Sequence, residues 1–352
     1  MTYRSQSRAL IPPLLGVLLA GCGDRPSEAL GTPAPFTRPV YELLSETGLY
    51  VDPAKQRLAS DVSPYEPKFA LWSDGADKRR WIQLPAGGWI DTTDMDRWRF
   101  PIGTRVWKEF SLDGKRLETR LIERYGTDDD DWWMGAFVWD EAGSDAVFVE
   151  DGERDLLGTA HDAPSQQQCG ACHSGEPGRV LGFSALQLPQ GDAPGPGSQV
   201  PVQPGAARPE VTLTRLIAAD WLSQPPPSGA HYGPPGDDVT AQALGYLHAN
   251  CGHCHNPWAS PWRTTRLLLR LDVENVNAED SPVFQSLVGV PLDYFEAPDL
   301  EQRVSPGEPD RSAIVTRMES RGGRAQMPPL ATEEVDEHGV DLVRSWIDSL
   351  SE

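Results

Sequence analysis

Four cysteines fall into two matching frames, Cys169-Gly170-Ala171-Cys172-His173 and Cys251-Gly252-His253-Cys254-His255. Two thiols three positions apart, with a histidine directly after the second, form the attachment signature of a c-type haem. The chemistry needs that spacing. The thiols add to the two vinyl groups of one porphyrin, and the following histidine is then held under the iron as proximal ligand. Three other uses of such pairs fit less well. A four-cysteine zinc site usually has its pairs some 15–20 residues apart, and here the gap is far longer. A thioredoxin-like pair calls for a βαβ context and explains no second copy. A disulfide between i and i+3 is a poor staple. The sequence therefore predicts two covalently attached haems, with His173 and His255 as proximal iron ligands.

Each iron has a second axial face. For the second haem the candidate is Met327, in Met327-Pro328-Pro329-Leu330, where two prolines keep the loop extended; Met318 is the competitor, or either is a core methionine. A His/Met pair raises the potential relative to two histidines. No methionine lies between His173 and Met318, so the first haem needs a residue from elsewhere. His161 leads, against the plainer reading of a loop histidine bonded to Asp162. Met95, Met134, His231 and His248 stay open, as does an iron with no sixth protein ligand. His253 and His338 read as exposed bystanders.

The elements that must position these groups differ along the chain. Val239–Asn250 reads as a helix leading into the second motif, with Leu244 and Leu247 on its apolar stripe. Asp310 is a candidate cap for a helix through Ala313 to Met318. A last helix, opened by Thr332, puts Val343, Trp346, Ile347 and Leu350 on one face. From Tyr41 to Glu150 the pattern is β. Trp72, Trp81, Trp89, Trp98 and Trp107 recur every eight or nine residues, the rhythm of short strands and turns, and Trp132, Trp133 and Trp139 follow. Leu112-Asp113-Gly114-Lys115 is a two-residue hairpin signal between Arg105–Ser111 and Arg116–Arg124. Pro85-Ala86-Gly87-Gly88 suggests another, and a small antiparallel sandwich is the expected product. Core packing is the ordinary use of strand tryptophans, ahead of sugar binding. Asp128–Asp131 reads as a solvated acidic loop ahead of a calcium site.

The chain is long for one core at 352 residues, so two folded parts are expected. The fold class is α+β multidomain: an antiparallel β-rich N-terminal domain, then a mainly α, cytochrome c-like C-terminal domain. The expected divisions are a leader at 1–21, a tether at 22–40, the tryptophan-rich domain at 41–160 and the first haem segment at 161–188. A Pro/Gly linker at 189–210 and the second haem domain at 211–352 complete the chain. Arg4 and Arg8 precede an apolar run that is shorter than the about 20 residues needed to span a bilayer. The run ends in Leu19-Ala20-Gly21-Cys22, the pattern of a bacterial lipobox, which makes Cys22 the lipidation site and the membrane a partner through an N-terminal anchor. A formal net charge of −21 excludes a nucleic-acid surface, which must be basic. It suits solubility outside the cytoplasm and steering toward a basic redox partner.

Several segments resemble a family of bacterial dihaem c-type cytochromes. They are Leu71-Trp72-Ser73-Asp74-Gly75-Ala76-Asp77-Lys78-Arg79-Arg80, Phe100-Pro101-Ile102-Gly103-Thr104, Glu118-Thr119-Arg120-Leu121, Tyr246-Leu247-His248-Ala249-Asn250 and Pro306-Gly307-Glu308-Pro309-Asp310. The resemblance runs from about Leu43 to the C-terminus. It implies a periplasm-facing electron-transfer protein of a Gram-negative envelope, β-rich in its N-terminal part, and supplies no catalytic residues. The expectation is an electron carrier. The alternatives are a peroxidase-like dihaem enzyme with one five-coordinate iron, and a β-domain binding module wired to a redox chain.

Overall fold

The hairpin signal at Asp113-Gly114 is where the β-structure is easiest to derive. Both residues have positive φ, 50° and 78°, as a two-residue turn that matches strand twist requires. The computed structural model describes residues 37–191, 208–295 and 297–350. The expected leader, Cys22 and most of the Pro/Gly linker lie outside the described residues. Strands β1 (Tyr50–Asp52) and β2 (Arg57–Leu58) form a small ribbon. A six-stranded antiparallel sheet follows in chain order: β3 (Ser63–Pro64), β4 (Asp77–Gln83), β5 (Arg105–Leu112), β6 (Lys115–Arg124), β7 (Trp132–Trp139) and β8 (Ala146–Phe148).

Alternation along these strands gives the sheet two different faces. Trp81 lies opposite Trp107, and Trp107 opposite Leu121. This row joins Trp133, Phe137 and Trp139 under the N-terminal residues Leu44, Leu49 and Tyr50. On the other face Ile82, Val106, Ile122 and Met134 are successive partners across four strands. That face meets Val180, Phe183 and the C-terminal helices.

The expected sandwich is therefore a single meander sheet. One face is covered by the N-terminal residues with the small β1–β2 ribbon and the other by the rest of the chain, so no second full sheet is needed to bury them. The second expected hairpin is also absent. Gly88 N–H does close a turn on the Pro85 carbonyl at 2.8 Å, but Ile90 then pairs with Leu222 instead of returning along β4.

Among the described residues seven α-helices accompany the sheet: α1 (Gln166–His173), α2 (Leu213–Ala218), α3 (Asp238–Asn250), α4 (Trp262–Thr265), α5 (Pro282–Leu287), α6 (Ala313–Glu319) and α7 (Glu337–Ser349). No helix among the described residues is long and apolar enough to cross a membrane. Asp237 opens α3 by accepting the Thr240 N–H at 2.9 Å, the usual N-cap bond. Helix α7 buries Val340, Val343, Trp346 and Ile347 and crosses α3 closely: a Cβ at Gly339 would sit 2.3 Å from the Tyr246 ring.

Two expected helix starts move. Ser312, not Asp310, occupies the N-cap position of α6, without a side-chain capping bond, and Asp310 instead pairs with Arg344 at 2.7 Å. Helix α7 begins after Asp336, not at Thr332, because the Glu333 and Glu334 N–H groups are held by Asp74 Oδ1, both at 2.8 Å. Between α3 and α7 the chain is largely irregular, with only short helices, so the class is α+β with an antiparallel sheet. One hydrophobic core runs across the boundaries expected at 160 and 211. Tyr65, Ile82, Phe100 and Val106 share it with Leu244, Val315, Val343 and Trp346.

Candidate functional site

Helix α1 carries the first motif. Ser165 accepts the Gln168 N–H at 3.3 Å, and Gln168 Oε1 accepts the Ser165 N–H at 2.9 Å. This reciprocal pair is a capping box, which fixes where the helix starts. Gln166 Nε2 donates to the Met134 carbonyl at 2.7 Å and pins α1 to β7. Cys169 and Cys172, one helical turn apart, thereby share a face. The His173 Nδ1 lies 2.6 Å from the Arg179 carbonyl, so it must be the protonated nitrogen and Nε2 keeps its lone pair. Burial pushes the His173 imidazole down to about 4. It is neutral at pH 7, the form that binds a metal.

A cavity of about 630 Å³ opens against this motif and is lined by Cys169, Cys172 and His173. Its apolar walls include Tyr65, Leu71, Val106, Ile122 and Val180. Its polar wall comes from the sheet. Arg80, Lys108 and Arg120 are direct cross-strand partners on β4, β5 and β6, and Lys108 and Arg120 reach the lining. Like charges set opposite one another are unfavourable. Glu66 answers Arg80 at 2.9 Å and Glu118 answers Arg120. Lys108 lies over the Phe110 ring, 4.9 Å away, and feels the Glu118 carboxylate at longer range. Burial, then Arg80, Lys78 and Arg120, push its ammonium well below the ordinary value. Trp72 also lines the cavity, and its indole N–H is buried without a partner.

The second motif follows α3 in a tight turn. Cys254 and His255 N–H both bond the Cys251 carbonyl, at 3.1 and 2.9 Å. His255 is buried, with no partner at Nδ1. Burial and then the nearby Arg317 push it down to about 4. Met327 is half-buried, and its N–H bonds the carbonyl of that same Arg317 at 2.9 Å. The following residues Pro328, Leu330 and Thr332 line the cavity beside the first motif. Met318 is a core residue of α6.

The other candidates separate clearly. His161 is not among the cavity's lining residues. Its Nε2 is 2.7 Å from Glu118 Oε1 and its ring lies on Phe110. Glu118, rather than the expected Asp162, is its partner. Burial alone would raise Glu118, but Arg120 and the His161 bond hold it below the ordinary carboxylate value. His248 Nδ1 accepts the Leu271 N–H at 3.0 Å, which places its proton on Nε2 and removes that nitrogen as a ligand. His231 and His338 are exposed. Met134 lies on the cavity-side face of the sheet and Met95 packs on the core, neither in the lining. In the acidic loop Asp130 pairs with Arg179, and Asp131 accepts the Asp128 N–H at 2.9 Å.

His253 reverses its expectation. It is 8% exposed, and its imidazole joins the sulfurs of Cys172 and Cys254 in a cluster whose atoms all lie within 4.8 Å of one another. Among the described residues no other group of three such ligand atoms forms, so a four-cysteine zinc site is not assembled. The hydrogen bond from the Cys254 thiol, helped by His253, pulls Cys172 down and pushes Cys254 up. Burial raises Cys169 to about 11 and Cys251 to about 12.

Sequence reasoning missed Lys108, Asn250 and Asn256. Alternation on β5 gives Lys108 the same face as Val106, which is the signal that could have placed it. Asn250 ends α3 and accepts the Trp72 N–H at 2.7 Å. No family model, curated protein or solved structure matches the chain.

Proposed function

We propose that this chain is an exported, lipid-anchored dihaem c-type cytochrome that carries electrons. The observation that supports it most is the cavity lined by Cys169, Cys172 and His173, whose size falls in the range of roughly 300–1,000 Å³ typical of cofactor sites. Its chemistry suits a porphyrin. Apolar walls would cover the ring, and Lys108 and Arg120 would meet the carboxylates of its propionates. The unpartnered Trp72 N–H offers a further donor. A haem supplies reversible one-electron chemistry at its iron.

The residues of the chain do the rest. Cys169, Cys172, Cys251 and Cys254 attach, and His173 and His255 ligate as neutral imidazoles. The Arg179 carbonyl fixes the ring of His173, the kind of outer bond that sets a ligand's tautomer and orientation. Met327, tied to the Arg317 carbonyl near His255, is the proposed sixth ligand of the second haem. In this reading α3, the Met-Pro-Pro loop and α7 are the working parts of a cytochrome c-like arrangement. Lipid on Cys22 would hold the protein at the periplasmic side of a membrane, and the acidic surface would favour a basic redox partner.

A second reading has an observation of its own. The cavity lining holds no methionine, and its histidines are the motif residues His173 and His253. A first iron open on its far side would bind small ligands such as peroxide. The haem-to-protein ratio, with visible spectra of both oxidation states, tests the two together on material matured where haem is attached. Two low-spin haems support the carrier. Two haems with one high-spin support the enzyme. Fewer than two haems would refute both readings.

A further inference from the structure

We infer that the two motifs hold their haems as one contacting pair, joined at Cys172 and Cys254 with the His253 imidazole beside both sulfurs. The inference rests on the haem reading. Each of these sulfurs would be bonded to a carbon on the rim of its own porphyrin. Sulfurs this close bring the two rims together whatever the tilt of either ring. With both haems bound, this contact would let an electron pass directly from a ferrous iron to a ferric one, with no bond or proton changing place.

The junction is built, not incidental. Asn256, fully buried, donates to the Gly175 carbonyl at 3.0 Å and to the Gly252 and His253 carbonyls at 2.7 and 3.0 Å. One side chain thus staples the loop after the first motif to the turn of the second. Gly175 lies so close that a Cβ there would be 2.0 Å from the His253 carbonyl oxygen. No other residue fits without parting the motifs. Glu176 and Arg270 add an ion pair at 2.9 Å, with side chains 16% and 6% exposed, and Arg270 also donates to the Asp96 carbonyl at 2.6 Å. A pair this buried contributes little net stability, because desolvation offsets the attraction; its better-attested use is to fix register.

The contact predicts two signatures in the mature dihaem protein. Stacked or touching chromophores give a two-signed circular dichroism band in the Soret region. Oxidising one iron places a positive charge beside the other and disfavours the second oxidation. A tenfold effect corresponds to a midpoint shift of ~59 mV for a one-electron couple. The experiment compares wild type, His253→Ala and Gly175→Val, counting haem in each. The expected result is a two-signed band and linked midpoints in wild type. The band should change shape in His253→Ala with both haems retained, and collapse in Gly175→Val if that variant folds. A one-signed band with two independent midpoints in a wild type carrying two haems overturns the pair alone. A haem count below two in wild type overturns the haem reading beneath it. Should Gly175→Val not fold, the wild-type and His253→Ala measurements decide.

Discussion

At the scale of single residues, the site is organised by which atoms already have partners. His173, His161 and His248 each commit one ring nitrogen, to the Arg179 carbonyl, Glu118 and the Leu271 N–H, but of the three only His173 lines the cavity. Met327→Ala is expected to lower the potential of the second haem, because the thioether favours the ferrous state. A potentiometric titration in which neither midpoint moves would remove Met327 from the ligand set. In the proposed dihaem form Lys108→Gln is expected to lower the potential of the first haem, since an ammonium kept charged by a propionate disfavours the ferric iron. The same titration reads it, and an upward shift would contradict the placement. Glu118 supplies a pH dependence. Its folded value is depressed, so its stabilisation is present above the ordinary carboxylate pKa of about 4.3 and is lost as pH falls through the folded value. Urea midpoints measured across that acidic window should fall in wild type and fall less in Glu118→Gln.

At the scale of elements, the hairpin, α3 and the apolar face of α7 were legible because each is written in local chemistry: a turn dipeptide, a helical stripe, a cap. The lone sheet, the true starts of α6 and α7 and the burial of His253 were not. Each depends on a partner far along the chain, and periodicity carries no information about that. The segment Leu71–Asp74 shows the difference. It stood out in the sequence through the tryptophan rhythm at Trp72 and as part of a resemblance. In three dimensions Trp72 holds the end of α3 through Asn250, and Asp74 holds the chain before α7. Asp74→Ala leaves two backbone N–H groups without their acceptor, and is expected to cost about 1–3 kcal/mol for each group that stays buried and unsatisfied. A denaturant midpoint unchanged from wild type would mean that water replaces the carboxylate. Trp107 fills one face of the sheet, fully buried, and donates to Thr47 at 3.1 Å. Trp107→Ala is expected to cost about 3–5 kcal/mol in the same assay.

At the scale of the whole molecule, the sheet and the second-motif region are halves of one core. The two Cys-x-x-Cys-His frames stand plainly in the sequence, yet the packing across 160 and 211 does not, since composition marks a flexible join without saying what packs across it. Residues 37–191 and 208–352 made separately are expected to lack cooperative unfolding, each having lost the other side of its core; two sharp independent transitions would show two domains after all. The wall around the first motif has a consequence for how the protein is made. It draws on Val106 and Ile122 early in the chain, His253 much later, and Pro328 to Thr332 near the end. If the chain is exported from its N-terminus, as proposed, Cys169 and Cys172 would emerge long before the residues that enclose them. An enzyme attaching the proposed haem would then meet an open first motif only until Thr332 had emerged and docked, so attachment would compete in time with closure of the fold.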